Sequence, residues 1–459
     1  MTSSKPSRTT FRARLDVMIN TLRSDIVSGK LPIGQYLPSE RALASEFQLS
    51  KNSVRQGLEL LVAEGLVEKV PRIGNRVTQP YAGDRITLTF GYYPSVVREA
   101  DLHGLLDDFH REHPHIRVRP VPLTYGEYDD LSMVYMGNDV LDVLTLNHTD
   151  YQRICEKEKL SHLEPLEAED SEIYPFLSRL FTQDGVSYIR PFLFTPVILC
   201  YNRRHFREKQ VLEPDSSWTW DDVMQAAVKL SDGKDRYGFY FHLLSDNRWP
   251  VFLLQSGEKF ERNEEGRYAI RHTKLQESMV HCRNLIYHQG IFPTFLSESD
   301  ADAEQLFISG KVSMIMTTYL SLNHMRHANF DFDVAPLPYM NEARSLLVVI
   351  GLAVNRHSKQ KEAAKVLVDY LLSYSAQLRI RRNTLSLPAH KRAAEWTGKE
   401  SLPRPSRFHM YREIIPSFRL VSELNLSLDE LATLRNELKW FWSNMEDENS
   451  LCQRLESLL

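Results

Sequence analysis

The stretch "LSKNSVRQGLELL", residues 49–61, passes from a short polar turn straight into a helix with an apolar period. Val54, Leu58 and Leu61 share one face of that helix, which leaves Lys51, Asn52 and Arg55 on the other with no apolar role. Upstream, Ser39 follows Pro38 as the N-cap of a helix that carries Leu43 and Phe47 inward. Only the turn "QLS" separates the two helices. Helix, tight turn and helix is the arrangement whose second member enters a DNA major groove by its N-terminal residues. Lys51, Asn52 and Arg55 are the side-chain types that bond purine edges and phosphates there.

Working outward, Leu15, Ile19, Leu22 and Ile26 form one apolar stripe on a preceding helix, with Gly29 as its C-cap. Downstream, "EGLVEKVPRIGNRV" (64–77) reads as strand, turn and strand, a β-wing with Arg72 and Arg76 near its tip. The phrase "LPSERALASEFQLSKNSVRQGLELLVAEGLVEKV" (37–70) closely resembles the winged helix-turn-helix of GntR-type bacterial transcription regulators. The resemblance implies DNA contacts from Ser39 and Arg41, from Ser50, Lys51, Asn52 and Arg55, and from the wing at Arg72, Gly74 and Arg76. Lys51 stands where the family usually has arginine, and Arg72 where the first wing glycine falls. Lysine lacks arginine's bidentate fork, so the operator sequence is left open.

Charge supports the division. Residues 1–80 hold 12 Lys+Arg against 7 Asp+Glu, a net of +5, and the rest hold 44 against 53, a net of -9, which together give the overall -4. A basic head on an acidic body fits a polyanion-binding module joined to one that avoids polyanions. The length of 459 residues asks for two or three domains. The four cysteines, Cys155, Cys200, Cys282 and Cys452, show no C-x-x-C spacing and suggest neither a zinc site nor a disulfide framework. The first residues lack an apolar signal-peptide core, and no run approaches a membrane span, so the expected location is the cytoplasm.

Past a short linker, residues 78–84, the pattern changes. "RITLTFGYY" (85–93) alternates like a strand, "LHGLLDDFHREHPHIRVRPV" (102–121) reads as helix, turn and strand, and "VLDVLTLN" (140–147) as a buried strand before a helix. Strands alternating with helices predict an α/β domain with mostly parallel sheets. His110, His113 and His115 invite a metal reading, but Leu105, Leu106 and Phe109 form the buried face of their helix and the imidazoles fall on its solvated end. No metal is expected there.

Six further phrases accumulate in order. They are "VSYIRPFLFTPVILCYNRRHF" (186–206), "SWTWDDVMQAAVKLSD" (217–232), "RWPVFLLQSG" (248–257), "FISGKVSMIMTTYL" (307–320), "FDFDVAPLP" (330–338) and "GLAVNRHSKQKEAAKVLVDYLLS" (351–373). Together they are similar to extracellular solute-binding proteins of the maltose-binding class. The resemblance implies a multi-domain chain: an α+β winged helix-turn-helix over 1–77, then a two-lobed α/β periplasmic-binding-protein-like (type 2) domain over 85–459. Lobe 1 would take about 85–194 and 345–385, lobe 2 about 195–344 and 386–459, with hinge crossings near Thr195–Tyr201 and between Pro338 and Ile350.

In open α/β sheets a ligand meets residues just beyond the carboxyl ends of strands. That rule selects Tyr92 and Tyr93, then Asn147, His148 and Asp150, and Tyr319 after "VSMIMTT". By the resemblance, Trp249 would stack on a sugar ring and Thr195 would supply a polar contact. Aromatic faces with Asn, Asp and Thr suit a neutral polyhydroxylated ligand. Leu141 replaces the usual proline of "PDV", and only Gly351 survives of a glycine-rich phrase, so ligand identity does not transfer.

The expected partners are operator DNA, a mono- or oligosaccharide effector and a second copy of the chain, with no membrane, cofactor or enzymatic activity. Three alternatives stand beside this reading. A GntR-type fusion to an aminotransferase-like body would need a Schiff-base lysine, a pyridine-pairing Asp and a glycine-rich phosphate loop. That constellation is missing, and glycine is scarce, 19 of 459. A transport protein serving a permease conflicts with the DNA-binding head. The third alternative is an effector scaffold that binds nothing.

Overall fold

The computed structural model describes residues 14–15, 17–19, 21–22, 25–26, 30–63, 66–70, 73–78, 86–123, 128–138, 140–166, 171–288, 291–293, 295 and 297–458. Gly29, most of the linker and Arg72 lie outside them. The chain divides into two compact units, Met1–Ile86 and Thr87–Leu459. No described helix is long and apolar enough to cross a membrane.

In the first unit, α1 (Glu40–Glu46) starts at Ser39, whose hydroxyl oxygen accepts the Ala42 amide at 3.2 Å. Such a cap contributes about 1 kcal/mol. Gln48 takes a left-handed φ of 51° in the turn, and α2 (Lys51–Ala63) begins after Ser50, whose hydroxyl accepts the Ser53 amide. Ile19, Leu22 and Ile26 pack with Met18, Leu43, Val54, Leu58 and Leu61 in one core. Gly57 brings α2 close to the first helical segment, since a Cβ there would lie 2.5 Å from the Met18 side chain. Strands β1 (Val67–Val70) and β2 (Gly74–Val77) pair antiparallel with Val67 opposite Val77. Both of those valines are buried against the helices.

The second unit is built on a ten-stranded sheet that runs through both of its halves. The first half holds β3 (Ile86–Tyr92), β4 (Ile116–Pro122) and β5 (Val143–Asn147). Two long strands occupy the centre: β6 (Arg190–Asn202), buried along nearly all of its length, and its antiparallel neighbour β10 (Ser345–Val354). The second half adds β7 (Tyr237–Tyr240), β8 (Val312–Thr318) and β9 (Phe332–Ala335). β10 pairs with β5 on one side, and β6 pairs with β8 and β9 on the other. One half of the unit is thus stitched to the other by two strands, the construction of a two-lobed fold.

The expectation of mostly parallel sheets is corrected. β3 with β5 and β7 with β8 are parallel, but every pairing of β6 is antiparallel. The cause is the crossing itself: a chain that passes from one lobe to the other and returns beside its own path must reverse direction. The register also shifts between Ile350 and Gly351, where a Cβ on Gly351 would lie 2.3 Å from Ile189 Cγ2 and 2.9 Å from the Arg190 carbonyl oxygen. Glycine is required there by close approach rather than by a positive φ.

The second lobe has a thick aromatic core. The helix Trp220–Leu230 is capped by Thr219, and the Trp220 indole donates to Gln255 Oε1 at 2.8 Å while its ring packs on Phe239 and Phe252. The helices Leu428–Trp442 and Glu448–Leu458 cover the same core through Leu434, Phe441, Leu451 and Leu455. His110 accepts the Val118 amide through Nε2 at 3.0 Å, and the described residues hold no cluster of His, Cys, Asp and Glu that could bind a metal ion.

Candidate DNA-binding face and interlobe cleft

In the head, Ser39, Arg41, Ser50, Lys51, Asn52, Arg55, Gly74 and Arg76 are all exposed, whereas Ser53 and Val54 turn inward. Lys51, Asn52 and Arg55 therefore share the outer side of α2 near its start. Glu40 enters this face without a counterpart in the sequence reading. Arg55 holds it with two parallel bonds, Nε to Oε1 at 3.3 Å and Nη2 to Oε2 at 2.9 Å. The hydrogen bonds from Arg55 keep the Glu40 carboxyl below its usual range. The pair fixes the guanidinium's direction and ties α1 to α2. In the wing, Arg76 Nε donates to Glu68 Oε1 at 2.6 Å across the two strands.

In the second unit a cavity of about 460 Å³ lies between the lobes. Its floor is the strand crossing: Thr195 from β6, Val348 and Ile350 from β10. Lobe 1 supplies Tyr93, Asn147 and the short helix α3 (Val96–Glu99) with Arg98 and Glu99. Lobe 2 supplies His242, Ser245, Asn247 and Arg248 from one loop, and Ser299, Asp300 and Glu304 at the start of the helix Asp300–Ile308.

Polar anchoring is dense on the lobe 2 wall. Arg248 donates from Nε to the Met316 carbonyl at 3.2 Å and from Nη1 to the Asn247 carbonyl at 3.1 Å, and its Nη2 lies 3.4 Å from Asp300 Oδ1. The Ser245 hydroxyl donates to the other Asp300 oxygen at 3.0 Å. Glu304 Oε2 lies 2.9 Å from His324 Nδ1. His242 Nδ1 is 2.6 Å from the Ser297 hydroxyl, and burial lowers the imidazole's pKa, favouring the neutral ring. On the lobe 1 wall, Glu99 accepts from Ser95 at 3.0 Å, and burial pushes its carboxyl up to about 7.

Of the eight residues expected at the ligand, Tyr93, Asn147 and Thr195 border this cavity. Tyr93 is 1% exposed and its hydroxyl oxygen accepts the Asn147 amide at 2.9 Å. Asn147 caps the following helix with its side-chain oxygen. Thr195 donates to the Pro196 carbonyl and accepts the Tyr319 amide at 2.8 Å, which ties β6 to the end of β8.

The other five do not line this cavity. Trp249 faces the lobe 2 core, 1% exposed, edge-on to Trp442 at 5.8 Å, with its indole nitrogen donating to Asp246. Tyr319 is fully buried and donates to the Phe408 carbonyl at 3.0 Å. Tyr92 is buried at the end of β3 and does not line the cavity. Asp150 closes the capping box by accepting the Asn147 amide, and burial raises its carboxyl to about 7. His148 lies near the Phe181 ring at 6.1 Å, and burial lowers its imidazole to about 4. Arg98, Glu99, Ser245, Arg248, Asp300 and Glu304 were not selected from sequence, although "SVVRE" and "HLLSDNR" directly adjoin the residues that were.

Comparison with known proteins agrees with this geometry. The model of the bacterial extracellular solute-binding protein family matches residues 93–378, and that of the bacterial regulatory proteins of the gntR family matches residues 17–77. A binding-protein relative from Brucella abortus (strain 2308) is 24% identical over 220 residues, 46% of this chain and 53% of its own. The chain spans about half the length of such curated relatives. The arabinose metabolism transcriptional repressor of Geobacillus stearothermophilus is 33% identical over 86 residues, 17% of this chain and 24% of its own. Among solved structures, maltose-bound MalE3 of T. maritima superposes with a TM-score of 0.70 at 19% identity, covering 82% of this chain and 100% of that one. A substrate-binding protein of Listeria monocytogenes in complex with cycloalternan gives 0.68 at 20% identity, covering 82% and 98%. With a two-lobed body that the solute-binding profile matches over more than half of the chain, and a winged helix-turn-helix over residues 17–77, this protein belongs to the bacterial extracellular solute-binding protein family and carries a GntR-type regulatory domain.

Proposed function

We propose that the chain is a cytoplasmic one-component transcription regulator, in which a saccharide held between the effector lobes controls operator binding by the winged head. One observation carries the reading: a single chain joins an exposed Lys51, Asn52 and Arg55 face to a cavity of about 460 Å³ walled by polar side chains from two lobes. The two matching families are regulatory and solute-binding, and solved neighbours are named with maltose and cycloalternan, which favours a sugar effector over an enzymatic body.

The mechanism follows from general rules. A homodimer would place two α2 helices in major grooves about one helical turn apart, and lobe closure around the solute would alter that spacing. The effector must favour one state by ~5.5 kcal/mol to swing a 1:99 population to 99:1. A site with most of its polar groups on opposite lobes meets that demand, because contacts to the second lobe form only on closure.

The test is selection of an operator from random-sequence DNA, followed by binding of Arg55→Ala and of the wild-type protein with added mono- and disaccharides. Arg55→Ala is expected to lose on the order of 10–100-fold in affinity if Arg55 reads a base. A sugar at 100 times its dissociation constant should also stabilise the effector unit by ~2.7 kcal/mol. Failure to enrich any sequence would sink the regulator reading, and enriched DNA whose binding ignores every sugar would sink the saccharide control.

A further inference from the structure

The cleft offers little ring surface. Tyr92, Trp249 and Tyr319 are buried behind its walls, and Tyr93 borders it at 1% exposure. What it presents instead are five charged side chains, Arg98, Glu99, Arg248, Asp300 and Glu304. Arg248 and Asp300 satisfy one another at 3.4 Å, and Glu304 meets His324 at 2.9 Å.

Glu99 is different. It is 7% exposed, it borders the cavity, and its one side-chain partner among the described residues is the Ser95 hydroxyl at 3.0 Å. No described lysine, arginine or histidine nitrogen lies within ion-pair distance of it. Arg98, next to it on α3, is exposed and attracts it only at longer range, while Glu304 from the facing lobe repels it. Buried carboxylates are ordinarily paired with cations, because an unpaired one bears its full desolvation cost. A buried carboxyl at a cavity wall with no protein cation beside it is half of an ion pair, and the cavity is where the other half fits. Arg98 opposes this weakly, since its exposed guanidinium is solvated and screened.

Resting on the solute-sensor reading above, we propose that the cleft selects a compact hydroxyl-rich solute bearing a protonated amine, an amino sugar of mono- or disaccharide size, with Glu99 as its counter-ion. The Arg248–Asp300 pair on the opposite wall then meets the hydroxyls, its planar guanidinium already aimed by the Met316 and Asn247 carbonyls. Because Glu99 and Arg248 belong to different lobes, such a ligand bridges the cleft.

The test is calorimetric titration of the full chain with glucosamine, galactosamine, mannosamine and fully deacetylated chitobiose, each beside its neutral and its N-acetylated counterpart. At least one amine is expected to bind tenfold or more tightly than both counterparts, and Glu99→Gln to abolish that ratio. The wild-type ratio needs no variant, so a poorly folded Glu99→Gln leaves the test intact. Neutral sugars binding as tightly as amines, or a preference that survives Glu99→Gln, would overturn this inference and leave the sensor reading in place. Silence from amines and neutral sugars alike would overturn both.

Discussion

Replacing Glu99 by glutamine should stabilise the unliganded protein at pH 8 and leave it nearly unchanged at pH 5. In the folded chain burial raises this carboxyl from 4.5 to about 7. A raised acid keeps its proton in the folded state while the unfolded chain releases it. Its contribution is therefore fully present below the unfolded value of 4.5, is lost as pH climbs towards about 7, and is flat above that. Two and a half pH units correspond to ~3 kcal/mol of stability forgone at pH 8. Glutamine resembles the protonated acid in shape and cannot ionise, so the variant escapes that loss. Asp150, also raised to about 7 by burial, titrates in both proteins and cancels in the difference. The groups facing Glu99, namely Ser95, Arg98 and Glu304, are the same in both. For a unit the size of residues 87–459, ~3 kcal/mol amounts to ~4 °C in Tm. Differential scanning calorimetry of both proteins from pH 5 to 8.5 reads this directly. A Tm difference that does not grow with pH, or that favours wild type at pH 8, would refute the view that Glu99 is a buried carboxyl without a cation.

Two further substitutions probe the frame around the cleft. Trp249→Ala should cost ~3–5 kcal/mol by opening a cavity between Trp442 and the lobe 2 core; a variant with unchanged Tm and abolished sugar binding would return the ring to the ligand. Gly351→Ala, which drives a Cβ to 2.3 Å from Ile189 and 2.9 Å from the Arg190 carbonyl, should cost ~1–3 kcal/mol in urea unfolding; an unmoved midpoint would mean that the crossing strands have slack.

The head was legible because several independent demands converge on it. Ser39 must cap, Gln48 must turn, Leu43, Val54 and Leu58 must bury, and what remains exposed on α2 is Lys51, Asn52 and Arg55. A helix of period 3.6 leaves few alternatives once its buried face is known. The Arg55–Glu40 pair escaped because it joins residues 15 apart on different helices, a distance that no local pattern encodes. The two-lobed fold was legible from the order of its phrases, but strand direction was not. A strand such as "RPFLFTPVILCYN" has the same apolar signature whether its neighbours run with it or against it.

The cleft resisted for a sharper reason. Reading from the strand ends gives Tyr92 with Tyr93 and Asn147 with His148, and one of each pair borders the cavity. Tyr93 borders the cavity and Tyr92 does not, Arg248 lines it while Trp249 packs in the lobe 2 core, and Asn147 lines it while His148 packs aside. At a strand end successive side chains take opposite faces, and at the first turn of a helix they diverge by about 100°. A shift of one residue therefore exchanges a core side chain for one on the cavity wall, as between Trp249 and Arg248. At Trp249 and Arg248 the large ring gains most by burial in the lobe core, while the guanidinium beside it borders the cavity. A chain of this architecture can carry aromatic residues at the expected positions and still present a charged cleft. Glu99, at the end of α3 a few residues after Tyr93, is one of the charged side chains that give the cleft this character.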